Sequence, residues 1–297
     1  MNYKLLCGDN VELLQDMEEN SVDLIVTDPP YGMDIAGVGW DRNVPPSSTW
    51  KEALRVLKPG GWALSFCSPE LYHRMAVNME DGGFDIRDQV IWMITTKMAK
   101  ANKLKPAHEP IAVAQKPISE KTIKANVERW GTGTINIEGN RVPWDGKPPT
   151  GWHSDGAKRR AFGSEVIKST EQETKKVDAN PNGRYPSNIV GHFDVREHQK
   201  YFYAPRVTRK ERGEYNTHPT PKPIDLMRWL INVYAPGEDS VVLDPFNGSG
   251  STGIAALNLG HKYIGMDLSQ EYITISERRI NDTVSNDANA FNELFKF

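Results

Sequence analysis

Four consecutive residues, Asp28-Pro29-Pro30-Tyr31, place a carboxylate, two rigid backbone units and an aromatic hydroxyl directly after the apolar run Val22 to Val26. The exocyclic amine of a nucleobase is a poor nucleophile, because its lone pair is delocalised into the ring. Two hydrogen-bond acceptors facing that NH2 favour a pyramidal nitrogen with an available lone pair. The Asp28 carboxylate supplies one acceptor. The Pro29 carbonyl can supply the second, held in place because proline fixes φ and restricts the residue before it. Tyr31 offers a flat face on which a base taken out of a duplex can stack, with its hydroxyl at the edge. A proline turn with a capping Asp would use the same residues.

A second constellation lies far along the chain. Val241-Val242-Leu243 followed by Asp244-Pro245-Phe246-Asn247-Gly248-Ser249-Gly250-Ser251-Thr252-Gly253 reads as a strand, a Gly-rich turn and a helix start. Such a turn lets backbone approach a ligand closely, with free amides at the helix N-terminus. Asp267 follows the next strand, 19 residues after Gly248. In nucleotide-binding folds an acid about 20 residues on holds ribose hydroxyls. No GxxxxGK[ST] occurs, which disfavours nucleoside triphosphates.

These residues need a scaffold, and the hydrophobic pattern describes one. Leu5 to Cys7, Val22 to Val26, Trp62 to Phe66 and Gln89 to Ile94 read as strands, Thr49 to Leu57 and Glu70 to Met79 as helices. The strand–helix order resumes near Pro223, with helices Ile224 to Val233, Thr252 to Leu259 and Gln270 to about Ile280, and strands Val241 to Leu243 and Tyr263 to Met266. Alternation of this kind predicts an α/β doubly wound sheet, with Asp28 at the carboxyl end of a parallel strand where such folds bind ligands. The expected organisation is one interrupted domain, residues 1–96 and 215–297, with an insert over 97–214. Thr150 to Tyr185 lacks apolar periodicity and reads as a long mobile loop or a disordered segment, not packed core.

Charge separates the same parts. Residues 97–214 hold 23 Lys/Arg against 14 Asp/Glu, and the remainder holds 13 against 25, although the whole chain carries only −3. A basic middle in an acidic frame suggests a polyanion-binding insert, and a solvated lysine-rich loop would look the same. The 38% hydrophobic and 25% charged content is ordinary for a globular protein, and no apolar run approaches the roughly 20 residues of a membrane span. Met1 to Asn10 lacks a signal-peptide layout, and Cys7 and Cys67 have no CxxC spacing. The expectation is a cytoplasmic protein with reduced thiols and no metal site.

Asp28-Pro29-Pro30-Tyr31 resembles the catalytic signature of the β-group amino DNA methyltransferases, which act on adenine N6 or cytosine N4. Asp244 to Gly250 resembles their S-adenosylmethionine loop, and His218-Pro219-Thr220-Pro221-Lys222-Pro223 the segment preceding it. The order, catalytic motif first and cofactor loop last, is that of this group. The resemblance implies a Rossmann-like methyltransferase sheet with one antiparallel strand near its edge and an inserted target recognition region. It implies catalysis by Asp28, Pro29, Pro30 and Tyr31. It implies S-adenosylmethionine binding by Asp9, Asn10, Asp244, Phe246, Asn247, Gly248, Ser249, Gly250, Thr252 and Asp267, with Thr220 and Lys222 near the methionine carboxylate. Leu57-Lys58-Pro59-Gly60-Gly61 resembles the turn behind the active site.

Double-stranded DNA is the implied partner, with phosphate contacts from Lys158, Arg159, Arg160, Arg206, Arg209, Lys210 and Arg212. Trp130-Gly131-Thr132-Gly133 and Gly183 to Asn188 read as structured turns that could cover a flipped base or the groove, and His108-Glu109-Pro110 as a structural pair near the pocket. Asp at the first signature position favours adenine over cytosine within the family. No Cys stands in a Pro-Cys context, which argues against methylation at cytosine C5. The family also implies a homodimer, in a bacterial or phage-infected cell. A non-catalytic DNA-binding relative, or an enzyme acting on RNA or a protein glutamine, would carry many of the same features.

Overall fold

The computed structural model describes residues 2–33, 41–94, 106–144, 150–154, 174–191 and 207–284. Ten strands and eight α-helices alternate among them, and eight strands form one sheet. The first strands and helices are β1 (Tyr3–Cys7), α1 (Asn10–Gln15), β2 (Val22–Thr27), α2 (Ser47–Val56), β3 (Leu57–Phe66), α3 (Tyr72–Asp81), β4 (Asp85–Met93), β5 (His108–Gln115) and α4 (Ile123–Trp130). There follow β6 (Thr150–Ser154), β7 (Thr174–Asp178), β8 (Ile189–Gly191), α5 (Arg209–Arg212), α6 (Ile224–Tyr234), β9 (Val241–Asp244), α7 (Ser251–Asn258), β10 (Lys262–Asp267) and α8 (Gln270–Val284).

The sheet runs β1-β10-β9-β2-β3-β5-β4-β8. Every neighbouring pair is parallel except the two that β5 makes, so one strand is antiparallel, as the resemblance implied. Strand β2 is buried along its whole length, as a strand covered by helices on both faces must be. Two apolar clusters flank the sheet: Leu24, Val26, Leu64, Leu230 and Ile254 belong to one, and Ile25, Trp50, Ala63, Met75 and Leu243 to the other. Alternate residues of β2 and β3 thus feed opposite clusters, as the strand period of two requires.

Helix α2 stops before Lys58 as expected, and the expected turn Leu57-Lys58-Pro59-Gly60-Gly61 is the first part of β3. Backbone pairing explains it: Gly60 N–H donates to Lys116 O at 3.0 Å, and Lys116 N–H to Gly61 O at 2.9 Å. The β2/β3 register shifts between Val22 and Leu24, absorbing the Pro-Gly pair as a bulge. The turn after α4 lies at this amino end of β3. Thr132, buried, donates its hydroxyl to Pro59 O, so Trp130-Gly131-Thr132-Gly133 lies at the opposite strand end from Asp28 and does not cover it.

Met1–Asn136 and Ser187–Phe297 form one compact unit and Ile137–Pro186 another, so β5, α4 and β8, all from the stretch expected as an insert, belong with the main sheet or its unit. Within 137–186 the expected long loop has structure at both ends. Strands β6 and β7 pair antiparallel from Thr150↔Asp178 to Ser154↔Thr174. Their Gly, Lys and Thr content hides them from a search for apolar alternation, because the ladder rests on backbone hydrogen bonds. Arg141 stacks 4.7 Å from the Tyr185 ring centroid and Arg184 4.7 Å from that of Trp144 in this unit.

Candidate active site

The topology brings the two distant constellations side by side. Strands β2 and β9 are parallel neighbours, with Leu24↔Val242 and Ile25↔Leu243 in register. Asp28 leaves the carboxyl end of β2 and the Gly-rich turn leaves the carboxyl end of β9. Asp267 ends β10, and Gly8-Asp9 follows β1 at the same edge. Thr27 Oγ1 donates to Asp244 Oδ1 at 2.7 Å and ties the two motif-bearing strands together.

The Gly-rich turn is held from behind. Asp244 accepts from Thr27 Oγ1, from Thr252 Oγ1 at 2.7 Å and from Phe246 N at 3.0 Å. It is buried, and burial pushes its carboxyl up to about 7 against the lowering effect of these donors. Asn247, also buried, accepts from Tyr263 OH at 2.8 Å and donates to Gly248 O. Arg279, 2% exposed, donates to Ser249 O, Ser249 Oγ and Ser251 Oγ from α8. Gly248 has φ +50°, and a Cβ there would stand 2.9 Å from His218 Nε2. Asp244, Asn247 and Thr252 therefore shape the turn through internal bonds, while also lining a cleft with Gly248, Ser249, Lys222 and Asp28.

The acids expected at the cofactor's ribose and adenine are oriented by the chain itself. Asp267 Oδ2 accepts from Gly248 N at 2.8 Å and Oδ1 from Ser269 N at 2.8 Å. Burial raises its carboxyl above the usual range. Asp9 caps α1 by accepting from Val11 N and Glu12 N. Asn10 Nδ2 donates to Pro245 O at 3.2 Å, joining the β1 turn to the Gly-rich turn. A carboxylate carries about four lone-pair sites, so Asp267 and Asp9 retain acceptor capacity for hydroxyls or an amine.

The Asp28-Pro29-Pro30-Tyr31 segment is closed upon itself. Tyr31 is buried at 8% exposure, and its hydroxyl donates to Asp28 Oδ1 at 2.7 Å. Lys222 pairs with Asp28 Oδ2. The resemblance put Lys222 near a methionine carboxylate; its partner here is Asp28. Thr220, two residues away, is exposed at the mouth of the cleft. Burial raises the Asp28 carboxyl, opposed by the Lys222 charge. Burial, then the charge of Asp28, raises the Tyr31 phenol far above its ordinary value. Pro29 is buried, and Asp41 accepts from Tyr31 N at 2.6 Å and Gly32 N at 3.0 Å, fixing the backbone after the prolines.

Three residues absent from the expected site belong to it. His218 lines the cleft, and its imidazole is pushed down to about 4 by burial and by the charges of Lys222, Arg279 and Arg212. Its place in the segment before the cofactor loop was the available signal. Glu109 on β5 approaches Tyr31 OH at 3.4 Å, and Arg279 braces the turn. His108-Glu109-Pro110 was expected near the pocket only as a structural pair, and Arg279 stands in no recognisable motif.

The chain matches the DNA methylase model of the N6/N4 family over residues 22–278. That span holds both constellations and most of the sheet. The chain belongs to the N6/N4 DNA methylase family. It is 27% identical to the type II methyltransferase M.HpaI of Haemophilus parainfluenzae, over all of this chain and 79% of that one. It is 23% identical to the type II methyltransferase M.HindIII of Haemophilus influenzae, over 92% of this chain and 93% of that one. Solved structures share the Rossmann-like methyltransferase fold. The PvuII cytosine-N4-specific DNA methyltransferase matches at TM-score 0.60 and 16% identity, over 96% of this chain and 92% of that one. A DNA modification methylase of Thermus thermophilus complexed with S-adenosylmethionine matches at 0.57 and 21%, over 96% and 95%.

Of the residues expected at phosphates, Lys158, Arg159, Arg160 and Arg206 lie outside the described residues. Arg209 and Lys210 are in α5, and Arg212 at its end donates to His218 O at 3.4 Å. Among the described residues no cluster of three His, Cys, Asp or Glu could hold a metal ion, and no helix is long and apolar enough to cross a membrane.

Proposed function

We propose that this methylase transfers a methyl group from S-adenosylmethionine to N6 of adenine in double-stranded DNA. The observation that carries the reading is the adjacency of Asp28 and the Gly-rich turn at the carboxyl ends of paired strands, facing one cleft. The chain's residues suit the cofactor. The Gly-rich turn lines the cleft with Phe246, Gly248 and Ser249, and the acids at the ends of β1 and β10 flank it. Gly248, Ser249 and Gly250 would border it, with Phe246 beside its adenine, Asp267 at its ribose, Asp9 and Asn10 at its adenine amine, and Thr220 toward its carboxylate. When bound, S-adenosylmethionine supplies an electrophilic methyl on a sulfonium.

The protein's part is orientation and polarisation. Asp28 accepts from the target amine and localises the nitrogen lone pair, with the Pro29 carbonyl as the second acceptor. Burial makes Asp28 a stronger proton acceptor than an ordinary Asp, suited to the proton that the nitrogen gives up. Tyr31 stacks on the flipped base. The basic stretch 97–214, including Arg209, Lys210 and Arg212, neutralises phosphates. A cytoplasmic homodimer completes the proposal.

Adenine is favoured by Asp, where the cytosine-N4 members of the family place Ser. The test is to incubate the protein with methyl-labelled S-adenosylmethionine and unmethylated mixed-sequence duplex DNA, then digest the DNA and identify labelled nucleosides by mass spectrometry. N6-methyladenine is expected. N4-methylcytosine would keep the mechanism and overturn the choice of base.

A further inference from the structure

Both oxygens of Asp28 are already engaged, one by Tyr31 OH and one by Lys222. A substrate amine arriving at that carboxylate competes with both of them for its lone pairs. Lys222 is 7% exposed, so its ammonium cannot simply turn to water, and a buried cation stripped of its partner is strongly penalised. The structure provides one more acceptor within reach of both donors. Glu109, 8% exposed on β5, has Oε2 4.0 Å from Lys222 Nζ and 3.4 Å from Tyr31 OH.

We infer that Glu109 is a positioning residue that takes Lys222 and the Tyr31 hydroxyl from Asp28 as the amine of the flipped base arrives. This rests on the reading of Asp28 as the amine's acceptor. The movement is small. Lys222 Nζ needs to close from 4.0 Å to about 2.8 Å, within the freedom of a four-carbon stem. The rings of Phe66 and Tyr31, at 5.1 and 5.4 Å from Nζ, flank the ammonium on its path. The exchange conserves charge: one ammonium and two carboxylates are present before and after, and no proton has to leave the pocket. It also strengthens Asp28 as an acceptor, because an ammonium bound to a carboxylate withdraws its electron density from any other donor. The other titratable groups facing this cluster are Cys67 from the end of β3, His218 from the segment carrying Lys222, and Asp244 at the end of β9.

The test combines single-turnover methylation of DNA by the cofactor-loaded enzyme with a crystal structure. Glu109→Gln preserves shape and removes the charge that attracts Lys222. Its rate should fall 10- to 100-fold at pH 7. S-adenosylhomocysteine affinity, measured by calorimetry, should stay within twofold, and Glu109→Asp should recover most of the rate. In crystals of Asp28→Ala, Lys222 Nζ should lie within hydrogen-bond distance of Glu109. The exchange is overturned by Glu109→Gln running within threefold of the wild type, by Glu109→Asp failing to recover the rate, or by Lys222 turning away from Glu109 in Asp28→Ala. A wild type that labels no amino nitrogen would sink the reading of Asp28 itself, a distinguishable failure.

Discussion

Thr27 and Asp244 share a 2.7 Å hydrogen bond between buried side chains on neighbouring parallel strands, though 217 residues separate them in sequence. Each residue abuts a different motif: Thr27 precedes Asp28, and Asp244 opens the Gly-rich turn. The bond therefore sets the spacing between Asp28 and the Gly-rich turn. Thr27→Val keeps the shape and deletes the donor, leaving a buried acceptor short of one partner. It should cost about 1–3 kcal/mol in urea unfolding, with a larger fractional loss in methylation rate than in cofactor affinity. A rate unchanged alongside lower stability would show that the bond serves the fold alone.

The carboxyl of Asp244, raised to about 7, links stability to pH. Its folded pKa lies above its unfolded value, so its contribution is fully present below about pH 4 and is lost as pH rises through 7. Asp244→Asn cannot ionise. The melting temperature of the variant relative to the wild type should therefore improve from pH 5 to about pH 7 and level off above it. A difference independent of pH would contradict the burial argument.

His218 gives the opposite sign. Its imidazole is held down at about 4, so the neutral form is favoured in the folded protein. Its contribution is present above the ordinary 6.5 and is lost as pH falls toward 4. Wild-type stability should decline between pH 6.5 and 4.5 more steeply than that of His218→Gln, read by thermal melts without ligand. Parallel curves would mean that the imidazole gains a proton without penalty.

Gly248→Ala tests the cradle. Its φ of +50° disfavours a side chain, and the added Cβ would crowd His218 Nε2 at 2.9 Å. Strain of this kind costs on the order of 1–3 kcal/mol. S-adenosylhomocysteine binding should weaken by about tenfold or more in calorimetry, with the far-ultraviolet circular dichroism unchanged. Wild-type affinity in a folded variant would remove Gly248 from the site.

The parallel strands and the two motifs were legible because each leaves a local mark. Val22 to Val26 is an apolar run that must be buried on both faces, and the Gly-rich turn needs residues that tolerate positive φ. Hydrogen bonding was less visible. Asp244, Asn247 and Thr252 looked like ligand contacts, and their side chains are largely spent on shaping the turn. Glu109 and Arg279 reach the site through tertiary packing, which no spacing along the chain encodes. Strands β6 and β7 went unread because their ladder depends on main-chain pairing, and the first residues of β3 because a bulge carries Pro59-Gly60 into a strand.

The most direct test of the account compares wild type and Asp28→Ala in one experiment, measuring S-adenosylhomocysteine affinity by calorimetry and label transfer from S-adenosylmethionine to duplex DNA. The account predicts cofactor affinity within a few-fold of the wild type and label transfer reduced by at least about a thousandfold, since the amine loses its charged acceptor in a low-dielectric site. Transfer within tenfold of the wild type, in a variant that binds cofactor normally, would contradict the assignment of Asp28 and with it the mechanism.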